Sequence, residues 1–221
     1  MKTKLIVILV LIYVSSFGQD RKEYFPVWTY HSKNSDIYGV SLGVLPKGIL
    51  KDLTLTRTYG IRAEAPGLGL LYFMAPRSYI TGGVEEKYII EEVYGINLSG
   101  GGLRYIKVDG FSGAVGGQYL QKMNGIAVAF MGNSIEEHSG ISIAFMQNEM
   151  HAGIGLSVAL GNMANHYKGI QIGAINEITK MGVGMQIGLF NKSNDQRGIQ
   201  LGLWNRNSKR SLPFINWQFK S

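Results

Sequence analysis

Three histidines in the second half of the chain have the residue type and the spacing that could bind a metal ion. His138, His151 and His166 are separated by 13 and 15 residues, and Glu136 lies just before the first of them. Imidazole and carboxylate groups are common ligands of zinc. His138, His166 and Glu136 are therefore the candidate ligands, but histidines in exposed loops are the simpler interpretation. We predict no metal site and no cofactor.

A candidate nucleophile lies near the N-terminus. The segment GVSLG, residues 39–43, matches the G-x-S-x-G pattern that presents a catalytic serine on a sharp turn. Ser41, however, occupies the place that Gln200 has in the similar segment GIQLG, so an internal repeat explains the match. No Asp is placed to complete a triad with the histidines, and the chain has no Cys. We therefore predict no catalytic residue and a protein that is not an enzyme.

The elements around these residues form an internal repeat of about 15 residues, which covers residues 95–205. Each unit starts with a glycine, and a further unit, GVSLGVLP, stands apart at residues 39–46. Such a period is typical of repeat architectures. The unit glycines are Gly95, Gly110, Gly125, Gly140, Gly155, Gly169, Gly184 and Gly198.

Within each unit the side chains alternate with a period of two, which predicts a β-strand with two different faces. One face is aliphatic or aromatic, as in Ile141, Ile143 and Phe145. The other is small or polar, and it carries Ala, Ser or Gln. The unit cores contain no charged residue. Charges collect in the segments between them, such as NSIEEHS and KSNDQR, which we interpret as turn-rich connections that follow strand-closing asparagines.

The two faces favour an all-β fold, specifically a repeat-built antiparallel β-barrel of the outer-membrane type with roughly twelve strands. Its aliphatic face would contact lipid and its small polar face would line the lumen. The alternative is a parallel β-solenoid, whose apolar face would form the core. A soluble solenoid normally presents charged side chains outward, whereas here the opposite face would be Gly, Ala, Ser and Gln.

The chain is predicted to contain a leader and one domain. Residues 1–19 combine Lys2 and Lys4, an apolar run and a small-residue end, which is typical of a secretory signal peptide. Residues 20–221 then form a single repeat-built β domain. Residues 64–94 break the repeat, and we interpret them as a plug or a long surface loop.

The repeats GIQIGAIN, GMQIGLFN and GIQLGLWN, followed by KRSLPFINWQF, resemble a family of exported envelope proteins with Gly-x-Gln-x-Gly-x-x-Asn repeats, the leptospiral-type surface repeat of Gram-negative bacteria. Residues 125–219 carry the resemblance well and residues 95–124 loosely. The units at Gly125, Gly140 and Gly155 depart from the pattern, since Ala or Ser replaces Gln. The resemblance implies an outer-membrane or cell-surface location. It supplies no activity and no catalytic residue.

Composition and charge narrow the possible partners. The formal net charge is +7, and removing Lys2 and Lys4 would leave +5. The basic cluster of Arg206, Lys209 and Arg210 lacks the extended Lys/Arg stripe of a nucleic-acid-binding protein. We therefore expect no nucleic-acid partner, contact with outer-membrane lipid, and either a structural or pore-like barrel or a secreted solenoid for adhesion or partner binding.

Overall fold

The computed structural model describes residues 21–47, 53–65, 88–101 and 105–219. The predicted leader, residues 1–19, lies outside the described residues. Within the described ranges, no helix has the length and apolarity needed to span a membrane. The strands are β1 (Lys22–Tyr24), β2 (Val27–Thr29), β3 (Ser35–Gly43), β4 (Thr56–Glu64), β5 (Glu91–Ser99), β6 (Ile106–Ala114), β7 (Gly117–Ala129), β8 (Gly132–Ala144), β9 (Gln147–Val158), β10 (Gly161–Ile172), β11 (Ile175–Ile187), β12 (Phe190–Arg206) and β13 (Ser211–Gln218).

The strands stack in chain order as successive parallel coils. From β3 to β12 each strand pairs in parallel with the next, and unit glycines lie in register, as in Gly125↔Gly140 and Gly140↔Gly155. The all-β prediction is confirmed, but the predicted antiparallel barrel is wrong, and the fold is the alternative, a parallel β-solenoid. The equal spacing of the repeats fits both folds, because side-chain alternation does not record strand direction.

Each coil consists of two strand halves that meet at the unit glycine. In β8, the half before Gly140 runs from residue 132 and the half after it ends at residue 144. Gly140 has a φ of 137°, a value that L side chains rarely adopt, and it bends the strand between the halves. The charged segment NSIEEHS therefore lies in the first half of a strand, and its interpretation as a turn-rich connection is wrong.

The first half was not recognised because its alternation breaks at an irregular position. The register between β7 and β8 pairs Leu120 with Ile135 and then Lys122 with Glu137, which leaves one residue between the pairs on each strand. Ile135 and His138 are three residues apart and both are buried, so the inward-facing positions change phase between them. A uniform period of two is consequently lost within the first half, and the adjacent charged residues Glu136 and Glu137 at the break resemble a loop.

The two halves face each other across a narrow interior. Asn133 in the first half of β8 donates to the carbonyl of Ile143 in the second half, at 3.0 Å, and to Ser142 Oγ at 3.2 Å. The small polar face is thus inside and the aliphatic face outside, the reverse of the core expected for a solenoid. This arrangement keeps the side-chain orientation predicted for the barrel but not its strand direction.

Apolar side chains of the first halves complete the interior. They form a buried cluster that includes Leu120, Ile135, Met150, Ala164 and Ile178, one from each successive coil. In the N-terminal coils a charged group is added at a second-half position, where Arg62 is in register with Ser41 and Asn97. Arg62 is fully buried and donates to Glu91 at 2.5 Å and to Glu64 at 2.9 Å. Its guanidinium also lies over the ring of Tyr30.

The ends of the stack differ from its middle. The short strands β1 and β2 pair in parallel with β3 and form a partial first coil. At the other end β13 pairs antiparallel with the second half of β12. Of the predicted insertion, residues 64–94, the part from 66 to 87 lies outside the described residues. Glu64 ends β4 and Glu91 begins β5, and these strands pair directly, so the segment between them joins neighbouring coils.

Candidate functional site

The outward side of the second halves forms an uncharged aliphatic surface, which we call the aliphatic face. Two side-chain columns run along it in register across the twelve strands from β2 to β13. Neither column contains a charged residue. Their central members are Ile96, Phe111, Ile126, Ile141, Leu156, Ile170, Met185 and Ile199 in one column, and Leu98, Gly113, Val128, Ile143, Val158, Ile172, Ile187 and Leu201 in the other.

The aliphatic face is large for a surface left open to water. Ile126, Ile143 and Ile170 are each 41 to 42% exposed although they pack against neighbours in their columns. Eleven steps of about 4.8 Å give a length of roughly 53 Å, and two columns give a width of about 12 Å, so the area is roughly 600 Å². This is already at the upper end of apolar patches on soluble monomers.

At the end of each second half the chain turns into the next coil, and these turns stack into an apolar corner. Phe130 and Phe145, on consecutive coils, stack with ring centroids 5.6 Å apart. The corner continues the aliphatic face around the edge of the solenoid. Its side chains are about half or more exposed: Phe130, Phe145, Met146, Leu160, Ile175, Leu189, Phe190, Leu203 and Trp204.

The backbone of the apolar corner is hydrogen-bonded from coil to coil. Phe145 N donates to the carbonyl of Phe130 at 3.2 Å, and Leu160 N donates to that of Phe145, also at 3.2 Å. Further along, Leu189 N donates to Ala174 O at 3.0 Å and Trp204 N to Leu189 O at 2.9 Å. These donors therefore need no water.

The outward side of the first halves, which we call the first-half face, carries charged side chains. One of its columns places Arg57, Glu92 and Lys107 on consecutive strands. Arg57 pairs with Glu92 at 2.9 Å, and further along the same face Lys122 pairs with Glu137 at 3.4 Å. Such exposed pairs add little stability, but they keep this face hydrated. The solenoid is therefore amphipathic across its thickness.

The candidate metal ligands do not converge. His138 points into the interior, where its Nδ1 lies 3.2 Å from the carbonyl oxygen of Met123. Burial lowers the pKa of His138, and the hydrogen bond to Met123 opposes this only in part. His166 points outward between Ala152 and Met181, and Glu136 lies in the gap of the register between β7 and β8. Among the residues that the structure describes, no group of three or more His, Asp or Glu side chains could hold a metal.

The third of these histidines, His151, lies between the paired residues Met150 and Ala152 of β9. His151 Nδ1 is 3.0 Å from Asn165 Nδ2 on the next coil, and its ring lies 6.1 Å from that of His166 in a T-shaped arrangement. Thr179 Oγ1 in turn donates to Asn165 at 2.6 Å. These contacts continue the coil-to-coil bonding of the stack and need no bound ion.

Ser41 and, in the basic cluster, Arg210 also have structural partners. Ser41 is fully buried, and its Oγ accepts a hydrogen bond of 2.8 Å from Thr58 on the next coil. Arg210 donates to Asn216 at 2.9 Å, and its guanidinium lies 4.6 Å from the ring centre of Trp217. Ser41 thus belongs to the hydrogen-bonded interior, and Arg210 contacts two residues of the C-terminal strand β13.

A shallow groove lies on the first-half face. Its volume is about 400 Å³, and its lining includes Glu137, His166, Tyr167 and Lys168. The charged side chain of Glu137 is already paired with Lys122. The groove is smaller and more polar than the aliphatic face, and unlike that face it does not extend over the whole stack.

Two features of the surface and interior were not recognised from the sequence. The prediction that asparagines close the strands is wrong: Asn162, Asn176 and Asn191 are each the second residue of a strand, are at most 2% exposed and form a ladder between coils. Their recurrence at the repeat spacing was the available signal. The apolar corner was visible as Phe-Met, Ala-Leu and Leu-Phe pairs at the ends of units, but they were treated as strand ends.

Comparison of the chain with protein-family models, with curated proteins and with solved structures found no match.

Proposed function

We propose that this chain is a non-enzymatic, exported cell-surface β-solenoid, and that the aliphatic face with its apolar corner is the surface through which it binds its partner. The observation that carries the proposal is the uncharged aliphatic face, about 53 Å long and open on one side of the stack. Apolar surfaces of this size on soluble proteins mark sites of interaction.

The stability of the fold does not require an outward aliphatic face. The interior is already filled by the asparagine ladder and by the apolar cluster of Leu120, Ile135 and Met150. On the first-half face the outward positions are occupied by charged residues, as is usual at a protein surface: Arg57, Glu92 and Lys107. The isoleucines at the outward positions of the second halves are therefore not needed for folding, and binding to a partner explains them.

The location is proposed from the sequence. A leader at residues 1–19 would export the chain, and the resemblance to envelope proteins with Gly-x-Gln-x-Gly-x-x-Asn repeats agrees with a place in the envelope of a Gram-negative bacterium. We propose that the folded domain remains at the outer membrane or cell surface. The absence of Cys suits an exported protein that does not depend on disulfides.

Envelope fractionation of the host tests this function. We compare the native chain with a variant of the aliphatic face, Ile143→Glu with Ile170→Glu. The matched control is Ile154→Glu with Met181→Glu, which alters two exposed apolar side chains of the first-half face. The native chain and the control should stay with the envelope through a high-salt wash, whereas the variant should appear in the soluble fraction, because charge opposes apolar contact.

Circular dichroism of the purified variants checks that both retain the fold. Equal retention of the native chain, the variant and the control would contradict a binding role for the aliphatic face. Loss of the control to the same extent as the variant would also contradict it, because the bound surface would then not be specific to that face.

A further inference from the structure

We propose that the partner of this surface is lipid: the apolar corner inserts into the outer layer of a bilayer leaflet, while the charged first-half face remains in water. The inference rests on the function proposed above and identifies the chemical class of its partner. Four observations support it, namely the shape of the apolar surface, its backbone hydrogen bonds, the position of its nearest charges and its aromatic content.

The shape of the apolar surface fits a fluid partner better than a flat one. Ile143 and Ile172 lie on the aliphatic face, Phe145 and Leu160 lie at the corner, and Ile175 pairs with Phe190 on the far side of the corner. A second copy packed against the aliphatic face would leave the far side of the corner in water. A lipid leaflet can follow a convex edge and cover both sides.

The backbone N–H groups of the corner are hydrogen-bonded within the protein, as a medium without water requires. In hydrocarbon each unpaired backbone N–H or C=O costs several kcal/mol, which excludes ordinary loops. Here Met146 N donates to Met131 O at 3.2 Å, Gly161 N to Met146 O at 2.8 Å and Ile175 N to Leu160 O at 2.9 Å. The turns continue the hydrogen bonding of the strands, so that inserting them into lipid leaves these donors paired.

The nearest charges set the depth of insertion. On the far side of the corner Glu177 lies two residues beyond Ile175, and it pairs with Lys192 of the next coil at 2.6 Å. Two strand residues span about 7 Å. The apolar edge is therefore about as deep as the layer that interfacial amphipathic elements occupy, roughly 5 to 10 Å.

Aromatic side chains are placed where the interface would lie. Phe130 and Phe145 stack at the corner of two central coils, and Trp204 is 49% exposed at the corner of the last full coil. An indole ring has an apolar body and a polar N–H, and it favours the boundary between hydrocarbon and water.

Flotation with vesicles of phosphatidylcholine alone tests the inference. The chain is purified from the host in its processed form. It should float with the vesicles, and because the corner is uncharged, high salt should leave the bound fraction unchanged. Phe145→Glu with Leu160→Glu should weaken binding at least about tenfold. The control, Ile154→Glu with Met181→Glu, should bind as the native chain does.

Single cysteines locate the inserted edge, since the native chain has none. An environment-sensitive dye attached to Leu160→Cys should shift its emission to the blue when vesicles are added. The same dye on Ile154→Cys, which is 55% exposed on the first-half face, should not respond. Equal shifts at both positions would overturn insertion by the corner.

The possible failures are distinguishable. Absence of flotation by the native chain overturns the lipid inference, and if the Ile143/Ile170 variant still leaves the envelope, the proposed binding function stands with another partner. A dimer in sedimentation that the Phe145/Leu160 variant dissociates, together with no flotation, would identify a second copy as the partner and likewise overturn the inference. Equal envelope retention of all variants would instead remove the proposed function itself.

Discussion

Asn176 Nδ2 donates to Asn191 Oδ1 across 2.8 Å, from one coil of the solenoid to the next. The same amide donates to the carbonyl of Ile187 at 2.9 Å, and Asn176 Oδ1 accepts from Asn162 Nδ2 at 2.8 Å. Each asparagine therefore joins its own coil to both neighbours. The ladder makes a polar interior compatible with a stable fold, because buried amides cost free energy only when their hydrogen bonds are missing.

Asn176→Ala should lower the free energy of unfolding by about 2 to 5 kcal/mol, since it leaves a donor on Asn162 and an acceptor on Asn191 unpaired in the interior. The control is Asn194→Ala, which removes an exposed asparagine of β12. Urea denaturation followed by circular dichroism measures both variants. A loss for Asn176→Ala no larger than that for the control would mean that the ladder does not hold the coils together.

Gly140→Ala should destabilise the stack strongly. The residue has a φ of 137°, and an added Cβ would collide with the carbonyl oxygen of Gly125 on the preceding coil. Gly161→Ala provides the matched comparison, because its Cβ would lie 3.7 Å from the nearest atom. The thermal midpoint of Gly161→Ala should stay within a few degrees of the native value. Similar tolerance of both substitutions would contradict the bend at the unit glycine.

Stability should fall when the pH drops below the ordinary pKa of histidine, about 6.5. Burial lowers the pKa of His138 in the folded state, so the unfolded chain takes up a proton that the folded chain resists. His138→Met should reduce this pH dependence by up to about 1.4 kcal/mol per pH unit. Met123 occupies the equivalent position in the preceding coil, so methionine should fit there.

Urea midpoints between pH 5 and 7 measure the slope for the native chain, for His138→Met and for His166→Met, a control that removes an imidazole from the outer surface. An unchanged slope in His138→Met would indicate that the buried imidazole does not resist protonation.

The sequence predicted the class of fold and the orientation of the second halves, but not the direction of the strands. Ile141 and Ser142 alternate identically in a barrel and in a solenoid, and only the pairing of Gly125 with Gly140 distinguishes them. Local sequence contains no record of that pairing. The irregular position at Glu136 then concealed the first half of each coil, because the buried residues Ile135 and His138 are three apart and interrupt the alternation.

The candidate site was partly predictable. The exclusion of charge from the second halves was plain from residues such as Ile143 and Ile187, and contact of this face with lipid was expected, although within a barrel. The metal candidates His138 and His166 do not lie together, because His138 occupies an inward position in its coil and His166 an outward position. The corner could not be recognised, because it depends on the stacking of turns such as Phe130 and Phe145.

Cysteine accessibility at two adjacent positions tests most directly whether the aliphatic side chains face outward and the polar ones inward. Ser142 is fully buried and Ile143 is 42% exposed. The chain has no native cysteine, so Ser142→Cys and Ile143→Cys can each be treated with a water-soluble maleimide in the absence of lipid. The structure predicts rapid labelling at position 143 and slow labelling at position 142 that speeds up in urea. Faster labelling at position 142 than at position 143 would contradict the account.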